Sequence, residues 1–143
     1  MNSQVKVQVT HYFKVKPEIV FDAWITSDKI KKWFGPGLGE MVRIAVDARE
    51  GGSFSFVQRR GTEDVDHIGT YTEFLRPYRL AFTWQVKDTP HSSKVFIQIA
   101  NIPSGAELIL THELHPHWAN YRDKTEAAWT KMLTAMASAI EGS

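Results

Sequence analysis

The sequence predicts an α+β fold: a curved antiparallel sheet wrapped around a long C-terminal helix, with two short helices after the first strand. Three observations predict it. Residues 40–114 alternate apolar and polar with period two, interrupted only by turn residues. The C-terminal stretch carries apolar residues at helical spacing, and two short helical segments stand between the first strand and the β region.

The first segment, Val5 to Phe13, sends Val5, Val7, Val9 and Phe13 one way and Lys6, Gln8 and Thr10 the other, as a half-buried strand does. Pro17 opens a helix, where its missing N–H costs nothing, and Glu18 sits in the first turn. Val20, Phe21, Trp24 and Ile25 fall on one face of it. Ser27 or Asp28 is expected to cap a second short helix carrying Ile30, Trp33 and Phe34, which Gly35-Pro-Gly-Leu-Gly39 ends.

The β region then runs through Val42, Ile44 and Val46, a turn at Gly51-Gly52, and Phe54 and Phe56 on the return. His67 to Leu75 follows a charged loop, and Arg76-Pro77-Tyr78 leads into Leu80, Phe82, Trp84 and Val86. Val95, Ile97 and Ile99 form the next strand. Leu108, Leu110, His112 and Leu114 share a face of the last, which Pro116 stops. In the terminal helix Trp129, Met132, Leu133, Met136, Ala137 and Ile140 repeat at helical spacing. Asp123 and Glu126 have capping-box spacing, and Gly142 stands where a C-terminal cap is expected.

At 143 residues, with no repeat or linker, residues 1–143 read as a single domain. The net charge of +1 argues against a broad basic field for nucleic acid. No apolar run approaches the ~18 residues of a membrane span, and the first ten residues lack a signal-peptide pattern, so a cytoplasmic location is expected. The absence of cysteine excludes disulfides, Cys-ligated metals and a thiol nucleophile. His112-Glu-Leu-His115-Pro-His117 lacks the spacing and the helix of a zincin, and no glycine run ends as a phosphate loop does, so neither metal nor cofactor is expected.

What stands out is the aromatic content: 5 Trp, 4 Tyr and 8 Phe. A sheet curling over one helix tends to leave space between them. At ~24 cal/mol per Å³, a dry void of ~300 Å³ costs roughly 7 kcal/mol, comparable to a domain's whole stability. Such space must hold a ligand, hold water, or be closed by large side chains.

Several stretches resemble the activator of heat shock protein 90 ATPase homologue family. They are Val20-Phe-Asp-Ala-Trp24, Trp33-Phe-Gly-Pro36, and Asp47-Ala-Arg49-Glu-Gly-Gly52-Ser-Phe54. Gly69-Thr-Tyr71-Thr-Glu73 with Pro77, Arg79-Leu-Ala-Phe-Thr-Trp84, Thr111-His112, and Trp129 with Leu133 extend the likeness over nearly the whole chain. His11 departs from it, standing where relatives commonly carry arginine. The resemblance implies the START-like helix-grip fold of the SRPBCC superfamily, whose members include carriers of apolar molecules.

The leading expectation is therefore binding of an apolar or amphipathic small molecule within the grip. Candidate sheet anchors are Phe54, Phe56, Phe82, Trp84 and Leu110, and candidate helix anchors are Trp129, Leu133 and Met136. His112 is the candidate polar contact, and Trp33 and Phe34 the candidate mouth. Two alternatives stand beside this: a cyclase- or hydrolase-like enzyme using His112, and a protein-interaction module with a chaperone or a second copy as partner. Glu73, the natural carboxylate partner for His112, faces away unless a bulge intervenes. Asp47 with Arg49 reads as a turn ion pair, and Arg59-Arg60 and the Lys29–Lys32 run as solvated charge.

Overall fold

A computed structural model describes residues 5–141. The strands are β1 (Val5–Phe13), β2 (Met41–Val46), β3 (Ser53–Arg60) and β4 (Glu63–Leu75). After them come β5 (Arg79–Val86), β6 (Ser93–Ile102) and β7 (Gly105–Leu114). The helices are α1 (Pro17–Ile25), α2 (Ser27–Trp33) and α3 (Arg122–Ile140), the last preceded by a 3-10 turn at Pro116–Tyr121. All seven strands join one antiparallel sheet in the order β1-β7-β6-β5-β4-β3-β2. The predicted α+β grip is the architecture found, and no described helix is long and apolar enough to cross a membrane.

Alternation places the core. Along β7 every second residue, from Ala106 to Leu114, is buried, and Ala106, Leu108 and Leu110 join Met132, Leu133 and Met136 of α3 in one cluster. Pro17 does open α1, and the Trp33 indole donates to the Ala23 carbonyl at 2.8 Å, locking α2 onto α1. The expected helix caps are corrected. Thr26 alone links α1 to α2, ending the first and beginning the second, so Ser27 and Asp28 already lie inside the helix. Likewise the 3-10 turn runs straight into α3, which leaves Asp123 in the first turn instead of at the cap. Arg122 Nη1 holds Asp123 at 3.0 Å and Glu126 at 3.2 Å there. Gly142 lies outside the described residues.

A bulge between Tyr71 and Glu73 does interrupt β4, yet it does not bring Glu73 inside. Tyr71 and Phe74 both pack toward the core, while Glu73 accepts from Arg79 at 3.1 Å on the outer side. The turn before β3 carries the expected Asp47–Arg49 ion pair, at 2.9 Å.

Aromatic rings fill the deep interior. Phe54 lies against Phe56, Tyr71, Phe82 and Trp84 with ring centroids 4.8–5.9 Å apart. It reaches across β4 because Gly69 has no side chain: a Cβ there would stand 2.4 Å from the Phe54 ring and 1.9 Å from the Thr83 carbonyl. About 10 Å³ is left open, among Trp24, Trp33, Tyr71, Phe82 and Trp129. That is barely room for one water.

The Tyr71 hydroxyl and the Trp24 indole N–H are buried without a hydrogen-bond partner. An unsatisfied buried hydroxyl costs ~1–3 kcal/mol. Tyr71→Phe is therefore expected to leave stability unchanged or raise it by up to about 1 kcal/mol in urea denaturation. A clear loss would mean that the hydroxyl is bonded to a trapped water.

Candidate functional site

The concave face of β3 reads Phe54, Phe56, Gln58, Arg60, grading from apolar to charged toward the mouth of the grip. Gln58 is fully buried and organises that mouth. Its Nε2 donates to the carbonyls of Gly35 and Gly39, both at 3.1 Å, while its Oε1 accepts from Arg60 Nε at 2.8 Å. The loop after α2 is thus fastened to the sheet. Gly39 is required for that closeness: its φ is +152° and a Cβ would lie 1.7 Å from the Arg59 carbonyl.

Between this loop, the sheet and the N-terminal half of α3 lies an open cleft of about 520 Å³. Phe34, His67, Trp84, Trp129 and Met132 form its apolar and aromatic wall; Arg60, Lys124 and Lys131 lie at its polar margin. A recess of about 300 Å³ adjoins it beyond Trp84 and His112, bounded by Ser93, Leu114, Trp118 and Tyr121. Volumes of this order suit a small organic molecule.

His112 is buried and committed at both nitrogens. Trp129 Nε1 donates to its Nδ1 at 2.9 Å, so the ring proton resides on Nε2 and is donated to Ser93 Oγ at 2.7 Å. The Ser93 hydroxyl passes the chain on to the Trp84 carbonyl at 3.2 Å. Burial pushes the His112 pKa down to about 4, so the ring is neutral near pH 7. Proton transfer from this residue would first have to break a buried hydrogen bond. Neither ring nitrogen is left free for a guest in the cleft.

His67 is the opposite case. It too is buried, with a pKa lowered to about 4, chiefly by burial. Its Nδ1 lies 3.2 Å from the Phe56 carbonyl and must be the donor there, since a carbonyl only accepts. Nε2 is therefore a lone-pair acceptor on the cleft wall. Phe34 meets the ring edge-on at 4.8 Å and Trp84 flanks it at 5.5 Å.

Of the residues anticipated from sequence, Phe34, Trp84, His112 and Trp129 come together on the cleft. Trp33, Phe54, Phe56 and Phe82 border the small internal void and not the cleft, while Leu110, Leu133 and Met136 are fully buried in the core. His67, Arg60 and Met132 were not anticipated. The signal for Arg60 was the β3 alternation, which separates it from its neighbour: Arg59 pairs with Asp64 at 2.6 Å on the outside, and Arg60 turns toward the cleft. Arg60 is thus no part of a solvated basic run. Met132 sits one turn from Trp129 on α3 and the same periodicity had marked it as apolar.

The His115 and His117 side chains cluster with His91 at ring-centroid distances of 4.0 and 4.7 Å. The His91 and His115 rings stack face to face, so their nitrogens do not converge, and no described group of three or more such side chains is arranged to hold a metal ion.

A curved antiparallel sheet closed on its C-terminal helix defines a helix-grip fold. The family model described as Activator of Hsp90 ATPase homolog 1-like protein matches residues 14–141, and the chain belongs to that family. Among solved structures it is similar to a protein from Chromobacterium violaceum at 21% identity and TM-score 0.84, covering 96% of this chain and 99% of that one. An AHSA1 protein from Silicibacter pomeroyi is 26% identical, with TM-score 0.79 and coverage of 94% and 96%. An AHSA1-like protein from Aeromonas hydrophila is 23% identical, with TM-score 0.80 and coverage of 96% and 92%. No curated protein matches the sequence.

Proposed function

We propose that the protein is a binding domain for an amphipathic small molecule, which enters the mouth cleft and not the deep interior. The observation that carries this reading is the contrast between two spaces. The interior between sheet and helix is closed by rings to about 10 Å³, whereas about 520 Å³ stands open beside Phe34, Trp84 and Trp129. Open apolar surface backed by a few fixed polar groups is the composition of a ligand site. Phe34, Trp84, Trp129 and Met132 supply apolar contact in this reading, His67 Nε2 a single acceptor, and His112 the rigid floor. A proton-transfer role for His112 gains no support from its geometry, because both ring nitrogens are engaged and no carboxylate is among its hydrogen-bond partners.

Trp84 and Trp129 make the test direct. Titration with decanol or decanoate is expected to change tryptophan fluorescence saturably, with Trp84→Ala weakening the response by about tenfold. No saturable change from either compound up to the millimolar range would overturn the reading.

A further inference from the structure

The chain contains seven arginines, and six have a carboxylate within 4 Å. Arg43 meets Asp66, Arg49 meets Asp47, and Arg59 meets Asp64. Arg76 meets Asp22, Arg79 meets Glu73, and Arg122 meets both Asp123 and Glu126. Arg60 is the exception among the described residues. Its cross-strand neighbour Glu63 is exposed and does not come within that distance. Nor is Arg60 simply dissolved in water: it is half-buried, and burial lowers its pKa from the ordinary arginine value.

Its orientation is also fixed. Nε is spent on the Gln58 side chain, which is itself held by the two glycine carbonyls. The Nη1 and Nη2 groups have no acceptor among the described residues. They form the end-on edge of the guanidinium, whose two parallel N–H bonds match the two oxygens of a carboxylate. The surroundings agree in sign. Lys124 and Lys131 stand on the same cleft and no aspartate or glutamate lines it. His67, close enough to feel the Arg60 charge, stays neutral near pH 7 and adds no negative group.

Resting on the small-molecule reading above, we infer that the cleft selects a carboxylate-bearing amphiphile, with Arg60 clasping the carboxylate end-on and the apolar body lying along Phe34, Trp84 and Trp129. The carboxylate supplies the counter-charge that every other arginine of the chain finds within the protein. Lys124 and Lys131 add attraction at longer range, but as exposed flexible ammonium groups they do not fix its geometry.

The test compares three probes with the same chain, decanoate, decanol and decyltrimethylammonium, by tryptophan fluorescence on the intact protein at low salt. Decanoate is expected to bind the wild type at least about tenfold more tightly than decanol, and the cation least tightly. Arg60→Gln is expected to abolish the advantage of decanoate while leaving decanol unaffected, and Arg60→Lys to restore only part of it. Lys124→Gln and Lys131→Gln should each reduce it less than Arg60→Gln. Thermal melting of Arg60→Gln within a few degrees of wild type verifies that the mouth still folds, and the unchanged decanol affinity reports the same locally. Equal binding of decanoate and decanol by the wild type would overturn the carboxylate inference and leave the small-molecule reading standing. Decanoate preference that survives Arg60→Gln would overturn the assignment to Arg60. Failure of all three probes would remove both readings together.

Discussion

Lowering the pH from about 7 to about 4 is expected to strip several kcal/mol from the folding stability, with the fall beginning above the range in which carboxylates titrate. His67 and His112 are the cause. Each is buried as a neutral ring with its pKa depressed to about 4, against 6.5 for an ordinary histidine. Above that ordinary value neither state of the protein protonates these rings, and their contribution is present in full. Below it the unfolded chain takes up two protons that the folded one refuses, so stability falls with pH until the folded value is reached near 4. Each residue is worth about 3 kcal/mol over that window, and the slope near pH 5 is about 2 kcal/mol per pH unit. Set against a total of ~5–15 kcal/mol, this leaves the fold marginal in mild acid. Urea unfolding at a series of pH values measures it. His67→Phe is expected to halve the slope, since it keeps a ring between Phe34 and Trp84 and removes one titrating group. Constant stability from pH 6.5 to 5 would contradict the neutral, buried state of both rings.

The fold was legible because its signals are local and periodic. Alternation in β1 and β7, the pitch of α3 and the glycines after α2 each specify their own element, and only one arrangement covers the apolar faces of all of them. The helix caps were misread for an equally local reason: a one-residue joint at Thr26 and a 3-10 turn before Arg122 shift the helix starts, and neither leaves a mark on hydrophobic spacing. The site was legible only in part. Aromatic residues on concave faces were found, but whether a ring fills the core or lines a mouth depends on depth along the strand. Phe54 and Phe34 cannot be ranked that way without knowing that Gly69 lets one ring cross its neighbour strand. Arg60 was hidden by adjacency to Arg59; two arginines in a row look like one charged patch until strand pleating sends them to opposite faces. The roles of His67 and His112 depend on tautomers, which are set by hydrogen-bond partners on other elements, far apart in sequence.

Trp129 is expected to be the most expensive single side chain to remove, because it contributes twice. Its ring lies 5.8 Å from both Trp24 and Trp84, and its N–H is the donor that fixes the His112 tautomer. Trp129→Ala should cost at least about 3–5 kcal/mol from lost packing. Trp129→Phe separates the two contributions: much of the bulk stays, but Nδ1 of His112 loses its donor, at a cost of ~1–3 kcal/mol. The freed nitrogen also becomes a site for a proton, so the His112 pKa should rise from about 4 toward the ordinary value and the acid slope should flatten. A thermodynamic cycle with His112→Phe tests the link, since Trp129→Phe has no acceptor to orphan in that background and should be cheaper there by at least about 1 kcal/mol. A coupling near zero would mean that the indole and the imidazole merely lie side by side. A substantial coupling ties the wall of the cleft to the buried chain from Trp129 through His112 and Ser93 to the Trp84 backbone, which holds both tryptophans of the mouth in one rigid unit before any guest arrives.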